Sequence, residues 1–226
     1  MKILLSWSSG KDSAWALHLL NRSHPGCVGG LMTSLNETVD RVAMHGVSRH
    51  VLEAQASATG IPLRVVPIPH PCPNDIYEAR MGAAVAAAVA EGFTHAAFGD
   101  LFLEDVRQYR IDRLQNTGLE PVFPVWGIPT SALADQMLAG GLRARLSCVD
   151  TRVLDPAFVG REWDDTLLRD LPPGADPCGE NGEFHTCVYA GPMFSHPLSL
   201  TRGEIVTREP FTWMDLLPTP AAAQTP

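Results

Sequence analysis

The first half of the chain alternates short apolar runs with segments of helical periodicity. The apolar runs fall at 2–6, 27–34, 63–68 and 95–99, and apolar residues recur at helical spacing over 12–21, 47–59 and 74–91. Short continuous runs are typical of buried parallel strands, whereas a return every three or four positions is typical of amphipathic helices. The alternation predicts an α/β fold with a doubly wound parallel sheet that carries helices on both faces.

The pattern changes in the second half. After an expected helix at 104–116, three prolines and a glycine interrupt the chain between 121 and 129. Beyond them the pattern predicts helices at 131–139 and 161–170 and strands at 142–149, 186–190 and 204–211. Because Pro and Gly mark boundaries between regular segments, we expect a first domain over 1–128 and a smaller C-terminal α/β lobe over 129–217. The Pro- and Ala-rich end, 218–226, is expected to be a disordered tail.

Composition and charge narrow the function classes. The 226 residues are 45% hydrophobic, which allows a sizeable core, and carry a formal net charge of −8. General nucleic-acid binding needs a basic surface and is therefore disfavoured. The five cysteines form no Cys-x-x-Cys pair, so neither a zinc ribbon nor a disulfide framework is supported. No signal pattern and no membrane-spanning stretch is evident, and we expect a cytoplasmic protein without membrane contact.

Segment 7–13 reads Trp-Ser-Ser-Gly-Lys-Asp-Ser and follows the first apolar run. Small residues between a strand and a helix let backbone N–H groups converge, and Lys11 and the helix N-terminus add positive charge, so the segment suits a polyphosphate. It is not a Walker A motif, because Leu5 stands where that motif has its first glycine and Asp12 stands where it has Ser or Thr. A chance turn with a solvated lysine is the alternative.

The order Ser-Ser-Gly-Lys-Asp-Ser resembles the pyrophosphate loop of the N-type ATP pyrophosphatases, which are adenine nucleotide alpha hydrolase-like proteins with a HUP/Rossmann-like fold. Ser9 stands where that loop usually has a glycine. If the position needs a positive φ, serine costs about 1 kcal/mol against glycine. The resemblance implies that ATP contacts Ser8, Ser9, Gly10, Lys11, Asp12, Ser13 and Gly99.

Three further residues lie at or after the end of the fourth apolar run. Asp100 follows Gly99 there, and its carboxylate is a candidate ligand for the Mg²⁺ that accompanies ATP, with simple helix capping as the alternative. Arg107 and Arg110 are three residues apart and share a helix face. They are candidates to clamp a phosphate or the substrate, and a solvated face paired with nearby acids is the alternative.

Segment 178–186 is the second chemistry-bearing motif and reads Cys-Gly-Glu-Asn-Gly-Glu-Phe-His-Thr. Its glycines allow a sharp turn or close approach to a ligand. Its carboxylates and histidine can transfer protons, and its asparagine can read an amide or a carboxylate. An ordinary Gly-rich turn before a strand is the alternative. The candidate substrate-binding residues are Arg107, Arg110, Glu180, Asn181, Gly182, Glu183, His185 and Thr186.

The two motifs together resemble the diphthine–ammonia ligase (diphthamide synthase) family over residues 1–215. The resemblance includes the Pro-Val-Trp segment at 124–126 and departs from the family's usual residues at Asn181, His185 and Val106-Arg107. It implies an ATP- and Mg²⁺-dependent ligase that adenylates a carboxylate with release of pyrophosphate, and then forms an amide and AMP when ammonia attacks. The implied acceptor is the diphthine of elongation factor 2, and the implied catalytic residues are Lys11, Asp100 and Glu183.

Other interpretations remain open at this point. The same adenylation could act on a small metabolite or a tRNA base, and a nucleotide-binding sensor could use the sheet without turnover. A homodimer is possible. His45 follows the second strand, and we expect it to be a solvent-exposed histidine at a helix start, with contact to the nucleotide base as the alternative.

Overall fold

The computed structural model describes residues 1–219 and contains two sheets. The first sheet has six strands: β1 Ile3–Ser6, β2 Val28–Asn36, β3 Arg41–Val42, β4 Leu63–Ile68, β5 His95–Ala97 and β6 Glu120–Val122. Five of them are parallel in the order β4-β2-β1-β5-β6, and the short β3 pairs antiparallel with the end of β2. The parallel α/β sheet expected from the alternating pattern is thereby confirmed.

Helices cover both faces of this sheet. They are α1 Lys11–Ser23, α2 Arg49–Thr59, α3 Asn74–Ala90 and α4 Glu104–Leu114. Because side chains alternate along a strand, Ile3 and Leu5 of β1 enter the core that contains α1 and α2, whereas Leu4 enters a separate core with α3 and α4. The fold is therefore doubly wound.

The strand order reverses at β1, since β2 lies on one side of it and β5 on the other. In sheets of this kind ligands bind in the crevice at such a switch point, outside the carboxyl ends of the strands. The segments that follow β1 and β5 meet there, and they contain the Ser-Ser-Gly-Lys-Asp-Ser loop and Gly99-Asp100.

The second sheet is antiparallel. Its strands are β7 Arg143–Asp150, β8 Phe184–Ala190, β9 Leu200–Arg208 and β10 Phe211–Pro218, in the order β8-β7-β10-β9. This half of the chain also contains the helices α5 Thr130–Ala139 and α6 Asp165–Asp170. The core that contains α1 and α2 continues into this half of the chain through residues such as Leu146 and Phe184. The two sheets therefore share one core, which brings the amino end of β8 against the loop after β1.

Three expectations differ from the structure. The strand expected at 204–211 is wrong, because β9 ends at Arg208, the chain turns at Glu209 and Pro210, and β10 then begins. The helix expected at 161–170 begins only at Asp165, where the Asp164 side chain caps it. The tail expected at 218–226 begins inside β10, and residues 220–226 lie outside the described residues.

No helix within residues 1–219 is long and apolar enough to cross a membrane.

Candidate functional site

The loop after β1 is a tight turn closed by its own serine side chains. Ser8 and Ser13 face each other across it with their hydroxyl oxygens 3.1 Å apart, and the Ser13 hydroxyl also donates to the Gly10 carbonyl. Ser9 is fully buried and has a φ of 66°. The position therefore does require the left-handed backbone, at a cost for serine of about 1 kcal/mol. Helix α1 begins directly after Gly10, so its N-terminal N–H groups lie at the loop.

Gly99 lies against the start of α1. A Cβ at this position would lie 2.8 Å from the Ser13 nitrogen and 2.9 Å from the Asp12 carbonyl carbon. Only glycine allows such a close approach of two backbones. The predicted pair of segments after β1 and β5 is thus in direct contact, and Asp100 is held beside the loop.

Lys11 is buried, with 2% of its surface exposed. Its Nζ donates to both carboxylate oxygens of Asp12, at 3.0 and 2.9 Å, and to the Cys178 carbonyl. Burial alone would lower its pKa, but the negative charge of Asp12 and the nearby Cys178 and Glu180 raise it above the ordinary value. The ammonium is therefore charged, and it connects the loop to segment 178–186.

Asp176 and Glu183 shape the backbone of that segment. The Asp176 carboxylate accepts the N–H groups of Cys178 and Glu180, at 2.8 and 3.3 Å, and the hydroxyl of Thr130. Glu183 is 4% exposed and accepts the Asp176 N–H at 2.9 Å and the Asn181 amide at 3.0 Å. These bonds close a tight turn, which explains why the glycines at 179 and 182 have φ values of 69° and 89°.

Glu180 extends from this turn to the first sheet. Its carboxylate accepts the N–H of Leu101 at 2.8 Å, directly after Asp100. Burial raises the pKa of Glu180 to about 7, and the charges of Asp12 and Asp100 act in the same direction. A carboxyl group that titrates near neutral pH can accept a proton in one step and return it in another. It is held at the point where both motifs meet.

His45 and His185 form a second pair at the loop. Their ring centroids are 4.7 Å apart, and His45 Nδ1 lies 3.0 Å from the Thr186 carbonyl. Burial lowers the pKa of His45 to about 4 and that of His185 to about 3, with Lys11 acting in the same direction. His45 is half-buried, so the expected exposed histidine is wrong. A Cβ on Gly10 would lie 2.7 Å from the His45 ring, which packs on the loop.

Arg107 and Arg110 both lie on helix α4, but in different surroundings. The Arg107 guanidinium stacks on Trp126 at 4.7 Å and on Phe123 at 5.3 Å. Arg110 lies 3.5 Å from Asp100 and lines a cavity of about 320 Å³ between α3 and α4. Arg107 also lies 3.8 Å from Glu104, which agrees with the alternative of a charge paired with a nearby acid, whereas Arg110 pairs with Asp100 after β5.

The donor set around Asp100 suits a magnesium ion brought by a nucleotide. Within residues 1–219 no three His, Cys, Asp or Glu side chains are arranged to hold a metal by themselves. Among the described residues Asp100 Oδ2 is buried and makes no regular hydrogen bond, although the Arg110 Nε lies 3.5 Å from it, and burial raises the pKa of this carboxyl. Mg²⁺ is often bound by only one or two carboxylates together with substrate phosphates, so one such oxygen fits that use.

The structure brings most predicted site residues together. The loop, Gly99-Asp100 and segment 178–186 are joined directly, since the Lys11 N–H donates to the Thr186 hydroxyl at 3.1 Å. Sequence reasoning missed Asp176, which organises the second motif. Its only signal was an acidic residue just before a Gly-rich turn, and such residues often bond to backbone N–H groups.

Comparison with known proteins agrees with this arrangement. The model of the diphthamide synthase N-terminal domain matches residues 1–119, and the model of the diphthamide synthase C-terminal domain matches residues 130–215. No curated protein matches the chain significantly. The N-terminal domain model includes the loop after β1, and the C-terminal domain model includes segment 178–186. Together they cover most of the chain. The chain therefore belongs to the diphthamide synthase (diphthine–ammonia ligase) family.

Proposed function

We propose that the chain is an ATP-dependent amide-forming ligase. It adenylates the carboxylate of diphthine on elongation factor 2 and then transfers the activated acyl group to ammonia. The observation that carries the proposal is the direct junction of the two motifs. The Lys11 N–H bonds to Thr186, and Glu180 accepts the Leu101 N–H. A nucleotide in the loop and an acceptor at segment 178–186 would therefore lie within reach of each other, as a transfer between them requires.

The loop after β1 would hold the phosphates of ATP. The α1 N-terminus and the hydroxyls of Ser8 and Ser13 are the donors for this task. Asp100 would hold Mg²⁺, which offsets the phosphate charge when it is bound. The acceptor carboxylate attacks the α-phosphorus, the bond to the β-phosphate oxygen breaks, and pyrophosphate leaves. Electrostatic stabilisation and alignment supply most of the rate in such displacements.

The second step is the attack of ammonia on the acyl-adenylate. The new C–N bond forms, AMP leaves with the electron pair of the broken C–O bond, and one proton is lost from nitrogen. We propose that Glu180 accepts this proton, because its pKa of about 7 suits a base at neutral pH. Glu183 has bonds to Asp176 and Asn181, which favour a role in shaping the turn over direct proton transfer.

Lys11→Ala tests the assignment of the loop. We expect AMP formation with acceptor and ammonium to fall by about a hundredfold or more, as is typical when one stabilising charge is removed. The matched control is Lys2→Ala, an exposed lysine at the opposite end of β1. If Lys11→Ala turns over ATP as fast as Lys2→Ala does, the loop is not the ATP site.

A further inference from the structure

Gln55 of α2 is a fully buried polar side chain next to the loop. Its Oε1 accepts the indole N–H of Trp7 at 3.0 Å. Its Nε2 donates to the Ser9 carbonyl at 3.1 Å and to the Val188 carbonyl at 2.7 Å. One amide therefore contacts Trp7 and Ser9 of segment 7–13 and Val188 of strand β8.

The Ser9 carbonyl is held from two sides. Besides the Gln55 amide, the Val188 N–H donates to it at 2.9 Å. Ser9 is the loop residue with the left-handed backbone, at φ 66°. A backbone conformation that a side chain disfavours persists when the surroundings fix it more than once, and these two donors do so.

The orientation of this one carbonyl decides where the next N–H points. In a trans peptide the carbonyl oxygen and the following N–H point in opposite directions. With the Ser9 oxygen turned inward to Gln55 and Val188, the Gly10 N–H points to the opposite side of the peptide, where it donates to the Ser8 hydroxyl oxygen at 3.3 Å. That N–H belongs to the group of donors that an anion would use.

We infer that Gln55 is a positioning residue of the anion site: it holds the Ser9–Gly10 peptide so that the Gly10 N–H faces a bound phosphate, and it ties this peptide to β8. The inference rests on the proposed use of the loop for the phosphates of ATP. Val188 lies two residues beyond Thr186 on β8 and bonds both Gln55 and the Ser9 carbonyl. A shift of the second sheet would therefore alter the orientation of the Ser9–Gly10 peptide. Gln55 thus links the acceptor half of the site to the phosphate half.

The test uses the Gln55→Met variant of the full chain, which keeps the length of the side chain and removes its donors. The control is Gln136→Met, an exposed glutamine of α5. We expect Gln55→Met to weaken the binding of Mg²⁺-pyrophosphate, measured by calorimetry, by about tenfold or more, and to speed hydrogen exchange in the loop peptide 7–13. Gln55→Asn, which keeps an amide on a shorter stem, serves in the same assays if Gln55→Met does not fold.

A second substitution separates positioning from general support of the fold. In the Gln55→Met background, Ser9→Gly removes the intrinsic cost of a positive φ, so we expect it to recover at least threefold in pyrophosphate affinity. A lowered Tm with unchanged affinity and unchanged exchange in Gln55→Met would overturn the inference, and so would the absence of any recovery. If the unaltered protein itself binds no pyrophosphate, the proposed ATP site is wrong. The comparison of hydrogen exchange in residues 7–13 between Gln55→Met and the unaltered protein then decides whether Gln55 positions the loop.

Discussion

The His45–His185 pair makes the stability of the protein sensitive to mild acid. Both rings are packed against the loop, and burial holds their pKa values at about 4 and about 3. In the unfolded chain a histidine titrates near 6.5. Below that pH the two histidines bind protons in the unfolded state but stay neutral in the folded state. Their contribution to the free energy of unfolding is therefore complete above about pH 6.5 and is lost as the pH falls.

The size of the effect follows from these pKa values. Each pH unit between 6.5 and 5 costs about 1.4 kcal/mol for each ring, or about 2 kcal/mol for one ring at pH 5. Both rings together give about 4 kcal/mol, and because water reaches their partly exposed edges we halve this to about 2 kcal/mol. A loss of this size is a large fraction of the stability of an ordinary domain.

The assay is denaturant unfolding at about pH 8 and about pH 5. The double variant His45→Asn, His185→Asn is compared with His24→Asn, His196→Asn, which alters two exposed histidines. Between the two pH values, the free energy of unfolding of the first variant should fall by about 2 kcal/mol less than that of the unaltered protein. That of the second variant should fall by as much as that of the unaltered protein. An equal pH dependence in the two variants would refute the reasoning, since common carboxylates would then account for all of it.

Three further predictions follow from the site. Gly99→Ala forces a Cβ to 2.8 Å from the Ser13 nitrogen and should lower the free energy of unfolding by about 2 kcal/mol. The control Gly82→Ala has open space around it in α3 and should raise that free energy by about 0.5–1 kcal/mol, and denaturant unfolding measures both. Ser9→Val should cost more than about 2 kcal/mol, because a β-branched residue at positive φ is strained, while Ser9→Gly should stay within about 1 kcal/mol; equal effects would contradict this. The rate of amide formation should rise with pH through about 7 as Glu180 loses its proton, and an unchanged profile in Glu180→Gln would exclude it as the base.

The parallel half of the fold follows closely from the local pattern. Buried parallel strands and the helices between them differ clearly in periodicity, so β1, β2, β4 and β5 were predictable. Strand β6 was not, because Pro121 lies in its middle, and proline is accommodated only at positions such as an edge strand. The hairpin of β9 and β10 was missed because β9 is exposed on the sheet edge and has no alternating burial.

The site was predictable as far as it depends on local motifs. The Lys11 loop and Gly99-Asp100 follow from residue types at the ends of β1 and β5, whereas a serine does not indicate the positive φ at position 9 and no local pattern indicates the approach of Gly99 to α1. The direction of the Lys11 side chain depends on Cys178, and the burial of His45 and the bonds of Gln55 depend on β8. In each case the partner lies more than a hundred residues away in the chain. Sequence periodicity carries no information about such long-range contacts.

The most direct test of the proposed ligase is a labelled turnover experiment. The protein is incubated with Mg²⁺-ATP, ammonium labelled with heavy nitrogen, and elongation factor 2 that carries diphthine, and both the nucleotide products and the acceptor mass are measured. The proposal predicts AMP and pyrophosphate in step with a labelled amide on the acceptor. ADP and phosphate, or AMP formed without any label on the acceptor, would contradict it.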